Sequence, residues 1–360
     1  MELSATLRLL GLPAAVALVL LGWLWARQRH TLPRTRLAAL AGLTMFLTFD
    51  LIVFGSFTRL TDSGLGCPDW PGCYGHASPL GAQTDIHAAQ TAQPTGPVTF
   101  GKAWIEMVHR YLAMTVGALI VVLTVAAWRW RRQLPLSPWW PTATLGWVIV
   151  QGLFGMWTVT WKLQPGIVTL HLLGGMTLLV LLVLQREQLI GPRYRWPRGA
   201  VAALLGAGTL LVLQVASGAW VSSNYAVLAC SDYPRCNGQW WPAMDFASGF
   251  TPWRDLGRGA DGDFLPFEAL VAIHMVHRWF AVVAALALLG VALWLRRHRV
   301  APRAAATVIA LVLLQVLTGL SNVVLGWPLA AALVHVAGAA GLVALVAVLT
   351  ARAVRGGAAS

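Results

Sequence analysis

The sequence predicts an all-α integral membrane protein: two pseudo-symmetric, parallel four-helix bundles preceded by one extra N-terminal transmembrane helix. Three observations carry that prediction. Hydrophobic residues make up 58% of the 360 residues and charged residues only 11%, against roughly 25% charged in a soluble domain. Nine apolar stretches are long enough to cross a bilayer, which takes about 20 helical residues each. The chain also repeats itself. EMVHR at 106–110 returns as HMVHR at 274–278, and CPDWPGC at 67–73 as CSDYPRC at 230–236. QGLFGMWTV from Gln151 returns as QVLTGLSNV from Gln315, and TLHLLGG around His171 as LVHVAGA around His335.

The first apolar stretch, 8–26, lacks a small-residue cleavage site before Arg27, so it is expected to stay as a helix rather than leave as a signal peptide. With the basic loop after it, it forms a segment 1–37 outside the repeat. The stretches 38–60, 104–127, 140–160 and 166–189 form the first repeat, 38–198. Those at 200–221, 268–295, 303–325 and 329–351 form the second, 199–360. Most landmarks superpose on a shift of about 164 residues, whereas the His-Arg motif needs about 168, so the second outer loop is slightly longer. Because each repeat has an even number of spans, both start on the same side of the membrane, which makes them parallel repeats.

The formal charge of +13 does not point to nucleic acid, because the arginines fall into alternate short loops. Arg27, Arg29, Arg34 and Arg36 form one cluster, Arg129, Arg131 and Arg132 a second, Arg186, Arg193, Arg195 and Arg198 a third. Arg296, Arg297, Arg299 and Arg303 form a fourth, and Arg352 and Arg355 lie at the C-terminus. By the positive-inside rule these loops and the C-terminus are cytoplasmic, and the intervening loops, with all four cysteines, are outside. The chemistry of the surface is then that of membrane lipid, and many of the 19 tryptophans sit at span ends, as interfacial anchors do.

Four histidines occupy matched places in the repeat. His109, His171 and His335 lie about five residues inside their spans, roughly 8 Å below the outer surface, and His277 is slightly deeper. A lone histidine on an apolar helix is ordinarily a hydrogen-bonded core residue; four at repeat-matched positions point to ligands, because ionisable groups inside a membrane are functional by default. Zinc would want a third or fourth close ligand per site, and each half offers two clear histidines. Two imidazoles facing each other across a bundle suit the axial positions of a haem iron, held non-covalently since no CxxCH motif occurs.

Arg110 and Arg278 follow their histidines directly and each needs an anion. A haem propionate would serve through charge-assisted bonds; a structural ion pair or snorkelling to the interface is the alternative. Three residues before the histidine the halves differ, with Glu106 in one and His274 in the other, and positions three apart share a helix face. Glu106 can move protons or stabilise a developing cation, or simply pair with Lys102 or Arg110. The two CxxxxxC loops can close small rings in an oxidising compartment, Cys230 with Cys236 as a structural staple, Cys67 with Cys73 as either a staple or a reducible pair. His30, His76, His87 and His298 match nothing in the repeat and read as solvated.

TRLTDSGLGCPDWPGC at 58–73, EMVHR, the His171 helix and their degenerate copies resemble the haem A synthase family, and the resemblance covers almost the whole chain from about residue 38. It implies an oxidoreductase of the bacterial inner membrane that converts haem O to haem A for terminal oxidases. The C8 methyl of the porphyrin is oxidised to a formyl group by two hydroxylations, the second giving a gem-diol that loses water. The resemblance further implies haem B on His277 and His335, the haem O site at His109 and His171, Glu106 as the catalytic group, and Cys67–Cys73 as the pair linked to activity. A haem O synthase, an oxidase subunit or assembly factor, and an electron carrier are the partners it calls for. The extra N-terminal helix departs from the family's eight-span plan. A dihaem electron-transfer cytochrome or a haem transporter would also use four histidines. Neither accounts for Glu106 breaking the repeat, and electron transfer across the membrane would put haems at different depths.

Overall fold

Proline and threonine set several helix starts. The computed structural model of the protein describes residues 3–192, 195–259 and 261–356. Its helices are α1 Leu3–Gln28, α2 Pro33–Leu60, α3 Gln83–Ala92, α4 Phe100–Arg129, α5 Trp139–Thr160, α6 Pro165–Ile190, α7 Ala200–Ser223, α8 Phe246–Gly249, α9 Phe267–Arg297, α10 Pro302–Val324 and α11 Leu329–Gly356. Pro33 and Pro302 open α2 and α10 in the first turn, where proline's missing N–H costs nothing and its fixed φ suits the helix. Thr99 caps α4, its side chain accepting from the Lys102 N–H at 3.2 Å. Among the described residues nine helices are long and apolar enough to cross a membrane, and they coincide with the nine expected stretches.

Helices overrun the apolar stretches because hydrogen bonding, not hydropathy, sets their ends. α2 begins before Arg34 and Arg36 of its cluster, and Arg36 Nε reaches back to the Gln28 carbonyl at 3.0 Å, fastening the α1–α2 corner. α3 and α8 fall inside stretches expected to be loops. α3 has a single buried residue, Ile86, too weak an apolar pattern to register as a helix. α8 is one turn, capped by Asp245, whose carboxyl is held below the usual carboxylate range by hydrogen bonds from Ser248.

The chain forms two compact units, Met1–Leu163 with Thr177–Gly191, and Gln164–Met176 with Pro192–Ser360. In the first, α4 is the hub, packed by α1, α2 and α5. Small residues Ala38 and Ala41 of α2 and Ala127 of α4 lie fully buried beside Leu119, Ile120 and Leu123. Lipid tails are as apolar as leucine, so the gain here is van der Waals contact between closely approaching helices rather than escape from water. The extra helix belongs to this packing: Ala17 joins that core, and Leu9 is buried in a second cluster with Cys67, Cys73 and Met107. In the second unit α7 packs on α9, α9 on α10, α10 on α11, and α11 back on α7. Leu204, Ala207, Leu211, Val215 and Ala219, at three- and four-residue spacing, make the buried stripe of α7.

Candidate functional site

Two disulfides close the CxxxxxC loops, Cys67–Cys73 and Cys230–Cys236. Both loops then turn through a residue and a glycine at positive φ, Tyr74-Gly75 and Asn237-Gly238, between antiparallel bridges Cys73–His76 and Cys236–Gln239. Two consecutive left-handed residues make the tight hairpin turn for which Asn-Gly is the preferred pair. Asp69 braces the first turn, its carboxylate accepting from the Tyr74 and Gly75 N–H groups at 2.6 Å each; its counterpart Asp232 accepts from the Gly238 N–H at 3.1 Å. Burial, with Asp85 and Asp69 nearby, holds the Tyr74 phenol above the usual tyrosine range. Asp69 had no sign in the sequence beyond its place in the repeat.

The first loop lies directly on α4. At Gly66 a Cβ would stand 2.6 Å from the Lys102 carbonyl group and 2.7 Å from the Ala103 nitrogen, all backbone, so only glycine allows this approach. The contact brings the Cys67 N–H to Glu106, which accepts it on Oε2 at 2.8 Å. Glu106 and Arg110 stand one turn apart on α4, and Arg110 Nη2 donates to Glu106 Oε1. Arg110 Nη1 donates to the carbonyls of Asp69, at 2.9 Å, and Gly72, at 2.5 Å. The carboxylate is 3% exposed and the arginine 8%. Glu106 is thus fixed by a helix neighbour and by the disulfide ring, through a guanidinium that spans both. The Cys67 N–H and Arg110 thus engage one carboxylate oxygen each.

His109, on the same helix, packs against α2, where a Cβ on Gly55 would meet its Nε2 at 2.9 Å. Phe54 stacks parallel to the imidazole, centroids 6.5 Å apart. His171 lies on α6 in the segment Gln164–Met176 of the second unit, with its Nδ1 buried and without a hydrogen-bond partner.

In the second unit His277 packs against α7 in the same manner, a Cβ on Gly218 standing 3.0 Å from its Cε1. Its Nδ1 lies 2.9 Å from Ser217 Oγ, and the Gln214 amide nitrogen is 3.1 Å from Nδ1 and 3.4 Å from Nε2. His335 on α11 meets Thr318 Oγ1 at 2.9 Å through Nδ1, while its main-chain carbonyl accepts from the Gln315 amide at 2.9 Å. A Cβ on Gly319 would touch His335 Cε1 at 3.4 Å. His274, where the first half has Glu106, is buried with Nδ1 unpartnered. Arg278 donates one Nη1 bond to the Arg235 carbonyl at 3.0 Å, while its Nε and Nη2 are buried with no hydrogen-bond partner. Nε and Nη2 form the guanidinium edge that grips a carboxylate side-on.

The arginines therefore differ: Arg110 is engaged by Glu106 and two carbonyls, whereas Arg278 keeps a buried donor edge for an anion. Among the described residues no three His, Cys, Asp or Glu side chains gather as a metal site. In the second unit His277 and His335, each against a glycine, and the buried donor edge of Arg278 fit a planar, carboxylate-bearing iron porphyrin. His30, His76, His87 and His298 are exposed. The glycines at 55, 66 and 218 and the hydroxyls of Ser217 and Thr318 were not expected; alignment of the two repeats could have found Gly55 and Gly218, which fall in the same register.

A family model described as cytochrome oxidase assembly protein matches residues 38–347. The chain is 38% identical over 316 residues to a Shewanella oneidensis protein named heme A synthase, covering 85% of this chain and 93% of that one. It is 30% identical over 327 residues to a Caulobacter vibrioides protein of the same name, covering 83% and 90%. A Rhizorhabdus wittichii protein, also so named, is 28% identical over 340 residues, covering 85% and 92%.

Proposed function

The chain belongs to the cytochrome oxidase assembly protein family, and from that premise we propose that it is a haem A synthase, oxidising the C8 methyl of haem O to a formyl group. The names of the relatives support the reaction. The observation that carries the reading to particular residues is the buried Glu106–Arg110–Cys67 network in one half, against His274 in the other. A half that only holds a cofactor has no need of a braced carboxylate; a half that oxidises a methyl group does.

On this reading His109 and His171 are the iron ligands of haem O, by their places in the repeat. Glu106 accepts a proton from the water that attacks the oxidised methyl carbon, and stabilises the positive charge developing there. Arg110 and the Cys67–Cys73 ring hold that carboxylate in place; Cys67–Cys73 is also the pair we assign to redox chemistry, and Cys230–Cys236 to structure. His277 and His335 hold haem B, with Arg278 toward a propionate. Haem B when bound supplies one-electron chemistry. The two halves, 38–198 and 199–360, act as parallel four-helix repeats, with α1 outside them.

The protein is assigned to a bacterial cell membrane, with its cysteine loops outside and its C-terminus in the cytoplasm. It receives haem O from a haem O synthase, exchanges electrons with a carrier, and delivers haem A to an oxidase subunit or assembly factor. The test is to express the chain in cells that make haem O but lack haem A, extract total haem and separate it by chromatography. Haem A is the expected product; haem O unchanged would refute the assignment.

A further inference from the structure

His277 and His335 each have a hydroxyl beside the imidazole. A serine or threonine hydroxyl has one proton, and both hydroxyls beside these imidazoles have already committed theirs. Ser217 Oγ donates to the Gln214 carbonyl at 2.9 Å, one helical turn back, and Thr318 Oγ1 to the Leu314 carbonyl at 2.7 Å. Each oxygen is left to accept, and the atom within 2.9 Å in each case is the imidazole Nδ1. Nδ1 must then carry the ring proton, which leaves Nε2 with a lone pair. The Gln214 amide nitrogen lies 3.1 Å from His277 Nδ1 and 3.4 Å from its Nε2, so it reaches both ring nitrogens and does not choose between them; the shorter Ser217 contact does.

We infer that Ser217 and Thr318 are positioning residues that fix His277 and His335 in the Nδ1–H tautomer, so that both rings offer an unprotonated Nε2 to the iron of a resident haem. The inference rests on the reading that these two histidines hold haem B. The hydrogen bond to the far nitrogen also holds the ring's orientation and raises its basicity, as partners of metal-bound histidines do.

The first half shows what these hydroxyls are for. Gly55 and Gly218 press on equivalent histidines, which fixes the register and puts Phe54 where the second half has Ser217. The match of Gln151 with Gln315 puts Phe154 where the second half has Thr318. Neither phenylalanine can accept a hydrogen bond from an imidazole edge, and His171 Nδ1 is buried without a partner. A substrate haem has to leave after turnover and a cofactor has to stay. The hydroxyls sit with the pair that keeps its haem.

The test uses the detergent-purified full chain with haem bound. Ser217→Ala with Thr318→Ala should release haem to excess apomyoglobin about tenfold faster than wild type. Its midpoint potential should rise, because a less basic imidazole stabilises ferric iron less. Ser217→Thr with Thr318→Ser should restore both values. If the double variant does not fold, the isosteric Thr318→Val decides by the same two readouts. Wild-type release and an unchanged potential in the alanine or valine variants would overturn the inference. His277→Ala, run in parallel, separates the two readings. If it loses the low-spin haem while the hydroxyl variants behave as wild type, only the tautomer inference falls; if it keeps that haem, the haem B assignment falls and this inference with it.

Discussion

Gly66→Ala tests whether the disulfide loop positions Glu106. The added methyl would stand 2.6 Å from the Lys102 carbonyl carbon and oxygen and 2.7 Å from the Ala103 nitrogen. Ordinary carbon contacts begin at about 3.5 Å. All three atoms are α4 backbone, which cannot swing aside, so the loop has to retreat by roughly 1 Å. The Cys67 N–H to Glu106 bond, 2.8 Å long, then passes about 3.6 Å, where it is no longer a hydrogen bond. Losing a bond to a charged acceptor costs about 1.5–3 kcal/mol, and a misplacement of about 1 Å at a reacting group costs on the order of 100-fold in rate. Haem A formed per mole of purified protein should therefore fall about 100-fold, while the low-spin haem spectrum, which the proposed assignment gives to the other half, stays. Wild-type haem A formation in Gly66→Ala would refute the claim that this contact sets the carboxylate.

Gly218→Val should push the His277 ring off its place, since even a Cβ stands 3.0 Å from Cε1, and abolish the low-spin spectrum; an unchanged spectrum would count against His277 as a ligand. Arg110→Lys keeps the charge but cannot serve Glu106 and two carbonyls at once. Haem A formation should drop by about tenfold or more with protein yield intact. Arg278→Ala should speed haem release to apomyoglobin several-fold, and no change would remove the propionate contact. Replacing Cys230 and Cys236 by serine opens a ring of sequence separation 6, a loss of about 2 kcal/mol by loop entropy. A lower Tm with haem A formation retained is the expected result.

The membrane spans were legible because length and apolarity alone decide them. Their ends were not: α2 starts at Pro33 and α9 runs to Arg297, past the last apolar residue, because a helix continues wherever its backbone bonds close. α3 was hidden because Ile86 is its only buried residue. The repeat located His109, His171, His277, His335, Glu106 and both cysteine pairs as candidates. The pairing of Glu106 with Arg110 was one of the alternatives it offered for Glu106, and the structure bears it out; that Arg278 keeps its Nε–Nη2 edge it could not show, since both arginines read as the same His-Arg pair. Nor could it show Gly66 on α4 or Ser217 on His277, which are contacts between segments far apart in the chain and depend on how helices and loops approach.

The central claim is that the two halves are unequal, with the chemistry in the half that carries Glu106. The most direct measurement is the haem content of Glu106→Gln beside wild type, both purified from cells supplied with haem O and extracted side by side. Glutamine keeps the shape but cannot take the proton. The account predicts haem B at the wild-type level, haem O unconverted and haem A absent from the variant. Haem A at the wild-type level in Glu106→Gln would contradict it.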